Sequence, residues 1–386
     1  MRHEKELPIA ERIIANHSLA PYTTLRLGGA ARYYVQTMSV DVLKDAVSWA
    51  QELYLPIFVL GGGSNIVVAD AGFPGLVIHN KISDYEIRTN DDRVIEKEPF
   101  LARNTFTPPR DYGDTPVLIR FGAGQEWHEF VVLCVTQNLA GVECLAGIPG
   151  TVGATPIQNV GAYGQEVSET IVAVEAFDLQ TKSMVELSAA ECEFGYRSSR
   201  FKTRDRKRFI VTSVTYRLTP NGKPTIRYPE LQRYLAEQNI MSPSLLDVSQ
   251  AVEAIRRRKA MVIDHNDPDS RSVGSFFVNP TISQAEFAQV EERAAKYLRT
   301  GEMIPAFPAA EHQVKLSAAW LTERAGIHRG YVYGNVGTST KHALAIINRG
   351  NGTAREIIEL AELIKARVLE AFGIALTPEP VFVGFE

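Results

Sequence analysis

Several groups of residues have the types and spacing to do chemistry. Gly61-Gly62-Gly63-Ser64-Asn65 follows the apolar run Pro56–Leu60. Glycines let a backbone approach a ligand closely and turn through positive φ. Successive amides can then form a concave nest for phosphate oxygens. By itself the run serves equally well as a β-turn between two strands. It is not a P-loop, because no lysine follows. It is not a dinucleotide fingerprint either, because Ile66-Val67-Val68 reads as a strand where a helix should start. Gly122-Ala123-Gly124 likewise lacks a third glycine. The stretch Gly147–Asn159 is harder to read as a plain loop. It places Gly147, Gly150 and Gly153 at spacing three, among small hydroxyls and amides and with no charge. Two such loops in one half of a chain favour a large phosphate-bearing cofactor over a single phosphate.

Three further residues are candidates for work on a substrate. Arg197 stands among Phe194, Tyr196 and Phe201, and a guanidinium can grip a carboxylate or phosphate through two parallel hydrogen bonds. Alone, it reads as a surface arginine. Ser275 precedes Phe276 and Phe277. It can act as a proton donor if its neighbours make it one, but no G-x-S-x-G elbow marks it as a nucleophile. Glu379 lies between Pro378 and Pro380, which fix the direction of its backbone. The eight histidines are scattered. Asp264-x-Asn266-x-Pro268 breaks the calcium-loop pattern at its third ligand, so no metal site is expected.

The elements that must position these residues follow from periodicity. Arg32–Gln36 reads as a strand, Val40, Leu43, Ala46, Val47 and Ala50 as a helix face, and Pro56–Leu60 and Gly75–His79 as strands. Further strands are expected at Pro116–Phe121, Val172–Asp178, Ser183–Leu187, Phe209–Leu218 and Pro380–Gly384. Helices are expected at Trp127–Asn138, Glu230–Asn239, Val248–Lys259, Ser283–Arg299, Ala318–Ala325 and Thr353–Phe372. The segment from about 91 to 115 is rich in charge, proline and turn residues and reads as a surface insertion, a hairpin tip. Asp264–Ser270 is a polar turn and a domain boundary. The mixture is α+β with at least two lobes.

A chain of 386 residues suggests two to three domains. The formal net charge of −4 lacks the basic footprint of a nucleic-acid binder. Three cysteines, Cys134, Cys144 and Cys192, are odd in number and form no C-x-x-C pair, which excludes a disulfide framework and a cysteine-rich zinc site. No stretch is apolar over 18 residues, and the charged start is no signal peptide. A cytoplasmic monomer with no membrane or nucleic-acid partner is expected.

Taken in order along the chain, these motifs resemble the UDP-N-acetylenolpyruvoylglucosamine reductase family. The resemblance runs from Asn16–Thr24 through Gly61–Asn65, Gly122–His128, Gly147–Gly153, Pro156–Gly164 and Cys192–Arg197. It continues through Gly274–Pro280, Val314–Leu321 and Pro378-Glu379. It implies a vanillyl-alcohol-oxidase-type (PCMH-type) FAD-binding domain of two α+β subdomains, at 16–85 and 86–262. A C-terminal α+β substrate domain at 263–373 and a returning strand at 374–386 complete the chain. FAD would be held non-covalently by Gly61, Gly62, Gly63, Ser64, Asn65, Ile148, Pro149, Gly150, Gly153, Thr155, Asn159 and Arg256. The substrate, a UDP-sugar, would meet Tyr163, Tyr228, Lys259 and Asn279, with Tyr228 on a tyrosine loop of the type I kind.

The implied reaction is reduction by NADPH, with hydride passed from flavin N5 to C3 of an enolpyruvyl group. Negative charge then develops at C2 and spreads into the carboxylate. The resemblance gives Arg197 and Glu379 the stabilisation of that charge, and Glu379 must then act as a donor. It gives Ser275 the protonation of C2, through a relay that the sequence does not name. Ala154 departs from the pattern beside Thr155, where a second small hydroxyl is expected, and Arg324 stands where the family often has glutamine. Two other readings compete. A flavin oxidase of the same fold would use a cysteine or histidine, such as Cys144, to bind flavin covalently. A non-catalytic flavin or UDP-sugar module would show no turnover.

Overall fold

The computed structural model describes residues 7–89, 93–99, 111–113, 115–298, 301–309 and 312–385. The N-terminal residues 1–6 and most of the expected insertion lie outside them. The chain divides into two compact units. One comprises Met1–His17, Ala31–Gly62 and Pro74–Arg257; the other comprises Ser18–Ala30, Gly63–Phe73 and Arg258–Glu386.

The first unit is built on two sheets. A four-stranded sheet runs in the order Ile14–Ser18, Ala30–Thr37, Phe73–Asn80, Ile57–Leu60, with the last two strands parallel. Parallel neighbours need a crossover. Here residues 61–72 make it, while the helix Val40–Glu52 lies in sequence between Ala30–Thr37 and Ile57–Leu60; Ser39 caps it by accepting from the Val42 amide at 3.3 Å. The helix buries Leu43, Ala46, Val47 and Ala50 on the face read from their spacing, together with Val42, while Val40 is only half-buried. The larger antiparallel sheet has the order Ser183–Ser188, Ile171–Asp178, Phe209–Pro220, Val117–Gly122, Asp84–Thr89, Val94–Pro99. Against it lies the helix Trp127–Thr136, whose Trp127 and Phe130 pack on Phe121 and Tyr216. The strand Val94–Pro99 falls within the stretch read as an insertion. It pairs with Asp84–Thr89 as the sheet's edge, and the buried Glu96 accepts from the Tyr85 hydroxyl. Charge in that segment hides its strand character, because an edge strand needs only one apolar face.

The second unit is assembled from shorter pieces. Ile66–Val68 pairs in parallel with Val381–Val383. One three-stranded sheet orders Thr281–Ser283, Gln313–Leu316, Ala306–Pro308; another orders Val332–Tyr333, Val336–Thr338, Ile346–Asn348. The long helix Ala354–Phe372 supplies much of the core through Ile357, Leu360, Ala361, Ile364 and Val368. Its start carries a capping box between Thr353 and Glu356. Asp70 adds a second cap, accepting from the amides of Ala354 at 2.7 Å and Arg355 at 3.1 Å. Gly373 ends the helix in the left-handed conformation, φ 73°.

Candidate active site

In the first unit the two glycine-rich loops meet backbone to backbone. A Cβ on Gly62 would stand 2.6 Å from the Gly150 Cα, and one on Gly61 would stand 2.7 Å from the Thr151 Oγ1. A Cβ on Gly153 would fall 2.4 Å from that of Ala123. The glycines are therefore required by the approach of the loops to one another. Part of the second loop is tied down internally: the amides of Val152 and Gly153 donate to Gln125 and Ala123, and the Gly147 amide to His128 Nδ1. Among the described residues, the amides of Gly61, Gly62, Ile148 and Gly150 donate to no protein acceptor outside the strand ladder. A lining of glycine with amides to spare fits phosphate oxygens. Thr155 is buried, and its hydroxyl is engaged with Val152 O at 2.8 Å and the Tyr216 hydroxyl at 2.7 Å. Its backbone is engaged as well, the amide donating to Val152 O at 3.0 Å and the carbonyl accepting from the Val160 amide at 3.1 Å. Ala154 beside it is exposed.

Arg197, Tyr163 and Asn159 share an uncommon feature: each has a positive φ, at 52°, 51° and 49°. Side chains other than glycine avoid this region unless their surroundings enforce it, and such residues gather at functional sites. The enforcement is visible. Asn159 is buried, donates to Glu166 at 2.7 Å and Gly195 O at 3.1 Å, and accepts from the Ser168 amide at 3.1 Å. The Arg197 guanidinium donates to the carbonyls of Asn159 and Gly161, while Lys202 donates to the Arg197 carbonyl. Tyr163 and Tyr228 meet edge to face at 5.4 Å. Burial raises the pKa of both phenols, so both are neutral donors at ordinary pH. Burial likewise lowers the Arg256 guanidinium to about 10; the nearby Tyr163 opposes this shift and the Arg197 charge adds to it. Arg256 stays cationic beside a second cation, an arrangement that favours an anionic ligand.

Gly63, Ser64 and Asn65 belong to the second unit, where Gly63 has a φ of 63° and packs its α-carbon against the Tyr22 carbonyl. The same unit brings Ser275 and Glu379 together. The segment after Ser275 forms no long strand; it is stitched on both sides. The Phe276 amide donates to Leu344 O at 2.8 Å, and the Glu379 amide donates to Phe276 O at 2.8 Å. Asn65 joins this group, donating from its side chain to the Glu379 carbonyl at 3.5 Å and accepting on its own carbonyl from Val381 at 3.0 Å. Asn279 accepts from the Ala318 amide at 2.9 Å, at the start of the helix Ala318–Arg324. Arg324, the departure noted above, is paired with Glu302, which also accepts from the Trp320 indole at 3.0 Å. Lys259 approaches His342 closely enough to lower its pKa.

His342 is the residue that the sequence did not single out. Its Nε2 lies 3.2 Å from Ser275 Oγ. Nothing in the chain order signals this, because the two are 67 residues apart and His342 belongs to no recognisable motif. Cys144, the candidate for covalent flavin attachment, is buried, donates to Thr225 O at 3.1 Å, and has its thiol pKa pushed well up by burial. A protonated, enclosed thiol is a poor nucleophile. Among the described residues, no group of three His, Cys, Asp or Glu is placed to hold a metal.

Comparison with known proteins shows the family. Residues 110–188 match the family model described as an FAD binding domain, and residues 266–383 match that of the UDP-N-acetylenolpyruvoylglucosamine reductase C-terminal domain. The class is therefore that of flavin-dependent oxidoreductases. A reductase of this name from Thermobifida fusca is 46% identical over 371 residues, covering 96% of this chain and 97% of its own. Its counterpart from Streptomyces coelicolor is 42% identical over 369 residues, covering 95% and 89%. The chain belongs to the UDP-N-acetylenolpyruvoylglucosamine reductase family. A solved structure of such a reductase from Thermus caldophilus shares the α+β fold, with a TM-score of 0.60 at 23% identity over 96% of this chain and 98% of that one. Among the described residues, no helix is long and apolar enough to cross a membrane.

Proposed function

We propose that this enzyme reduces UDP-N-acetylglucosamine enolpyruvate to UDP-N-acetylmuramate, a step of peptidoglycan precursor synthesis, with NADPH as reductant and FAD bound non-covalently. The observation that carries the reading is the joining of Ser275 and Glu379 through Phe276, which sets the two groups the reaction requires on neighbouring segments. FAD, when bound, supplies the hydride that NADPH provides and the enolpyruvyl C3 receives. Gly61–Asn65, Ile148–Gly150, Gly153, Thr155, Asn159 and Arg256 are assigned to holding it.

The remaining work belongs to the chain's own residues. As C3 gains hydride, charge develops at C2 and in the carboxylate. Arg197 is assigned to that charge as a fixed cation, and Glu379 as a hydrogen-bond donor. Charge stabilisation by groups held in advance is commonly the largest catalytic contribution. Ser275 Oγ–H delivers the proton to C2. Tyr163, Tyr228, Lys259 and Asn279 are assigned to the diphosphate and sugar, the neutral phenols as donors and Lys259 as a point charge. We assign 16–85 and 86–262 to the two FAD-binding subdomains, with an insertion of no catalytic duty at about 91–115. Residues 263–373 are assigned to the substrate domain and 374–386 to the returning C-terminal segment, which carries Glu379 just before its strand Val381–Val383. The enzyme acts as a cytoplasmic monomer.

The test separates the half-reactions. Purified enzyme is mixed anaerobically with NADPH while the visible flavin band is followed, and UDP-N-acetylglucosamine enolpyruvate is then added. Bleaching followed by recovery is expected. Bleaching without recovery on the sugar overturns the substrate assignment in favour of another flavin oxidoreductase. Protein that holds no FAD overturns the loop assignments.

A further inference from the structure

The proton that Ser275 gives up has to leave a serine oxygen, which is a poor acid in water, and the residue needs both aim and stabilisation. Among the described residues, one side chain stands within hydrogen-bond distance of it. His342 Nε2 lies 3.2 Å from Ser275 Oγ, in the loop between the strands Val336–Thr338 and Ile346–Asn348. That loop is held from several sides. Ala345 donates back to the His342 carbonyl at 3.2 Å, and Leu344 accepts from Phe276, the residue next to Ser275. Upstream, Thr340 donates to Asp269 from both its amide and its hydroxyl, and Lys341 donates to Asp267 at 2.6 Å. Backbone and side-chain bonds thus fix the imidazole relative to the serine.

The charge state of His342 follows from what faces it. The ring is enclosed, and the cations Lys259 and Arg329 are near it; burial first and these charges second lower its pKa to about 4. The carboxylates of Asp267 and Asp269 are held by Lys341 and Thr340 on the same loop. The imidazole is therefore neutral at ordinary pH and carries one N–H. If Nε2 lacked that hydrogen, it would accept from Ser275, and the only proton of the serine would be spent on the ring. A serine that protonates carbon needs the opposite arrangement, with Nε2–H donating to Oγ.

We propose that His342 is the positioning residue behind Ser275. Its Nε2–H donates to the serine oxygen, leaves the hydroxyl proton aimed at the substrate, and holds the alkoxide that forms. The step balances without a further reactant. The Oγ–H bond breaks, the C2–H bond forms with the electron pair on C2, and the pair left on Oγ is stabilised by the imidazole N–H and by the field of Lys259 and Arg329. Solvent then returns a proton to Oγ. The proposal rests on the assignment of Ser275 as proton donor.

The full-length holoenzyme tests it in two ways. The first is nitrogen-15 NMR on histidine-labelled protein. The expected result is a protonated Nε2 and an unprotonated Nδ1 on His342 from pH 6 to 8, with the Nε2 signal shifting in Ser275→Ala. An unprotonated Nε2 in the wild type overturns the proposal without reference to turnover. The second is half-reaction kinetics of His342→Ala, His342→Gln and Ser275→Ala. In His342→Ala, reoxidation by the sugar should slow on the order of 100-fold, the scale of an acid catalyst's contribution, while reduction by NADPH is unchanged. His342→Gln, which keeps an N–H donor, should recover most of that loss. An effect of both His342 variants confined to KM for the sugar overturns the proposal in favour of a substrate contact. A slow Ser275→Ala beside an unimpaired His342→Ala overturns the role of His342 alone. Ser275→Ala at the wild-type rate overturns the role of the serine, and this proposal with it.

Discussion

Single residues here are held by the backbone as much as by side chains. Arg197 shows this most clearly. A left-handed φ of 52° is imposed on a long side chain, and its guanidinium reaches the carbonyls of Asn159 and Gly161. A lysine at this position keeps the charge but loses the planar fork that spans two acceptors while facing an anion. Arg197→Lys should therefore lower the rate of flavin reoxidation by the sugar about 100-fold and leave flavin reduction by NADPH within a factor of about three. Stopped-flow absorbance on each half-reaction checks this. Equal losses in both would show that Arg197 supports the fold rather than the developing charge. The motif around Arg197 was readable in the chain, but its partner carbonyls were not, since they come from a loop nearly forty residues earlier.

At the scale of elements, two features can be probed separately. The contact between the glycine-rich loops leaves no room for a methyl group, as the 2.6 Å from a Gly62 Cβ to the Gly150 Cα shows. Because the obstacle is backbone, the loops must part. Gly62→Ala should cost about 1–3 kcal/mol of stability and lower the FAD content of purified protein. Thermal melting and the visible flavin band report the two effects. Wild-type FAD content in this variant would argue that the loop junction is structural only. At the other end of the chain, Thr353 and Asp70 together satisfy the first amides of the helix Ala354–Phe372. Thr353→Ala should destabilise by about 1 kcal/mol, seen as a lower urea midpoint, with no change in flavin binding. A larger loss would mean that the cap also fixes the loop before it. The capping box rests on a local pattern, a threonine followed three residues later by glutamate. Asp70 was not, because it comes from 284 residues upstream.

For the whole molecule, the pH dependence of stability follows from buried histidine. His79 accepts or donates at 2.6 Å with the Tyr34 hydroxyl, and His17 stacks on Tyr34 at 4.2 Å. Burial first, then Lys81 and His17, lower the pKa of His79 to about 4 from its ordinary 6.5. The unfolded chain therefore binds a proton in that window that the folded chain refuses. The stabilisation is complete above pH 6.5, declines as pH falls toward 4, and is lost below it. One such group contributes at most about 3 kcal/mol, and His342 acts in the same direction. The urea midpoint of the wild type should fall between pH 7.5 and pH 4.5, and that of His79→Gln should fall less. Identical pH profiles would remove His79 from the account.

What could be read before folding was whatever neighbours in sequence decide: the helix faces, most strands, the glycine-rich loops and the family resemblance. Periodicity and backbone freedom are properties of a few adjacent residues, so they survive in the bare chain. The strand Val94–Pro99 was missed because a charged edge strand resembles a loop. Tertiary structure alone decided which side chains meet. It joined Ser275 to Glu379 through Phe276 and set His342 against Ser275 across 67 residues. It also turned the glycines of Gly61–Gly62 toward Gly150 and Thr151. Contacts of that range are chosen by the burial of whole elements, and no local pattern encodes them.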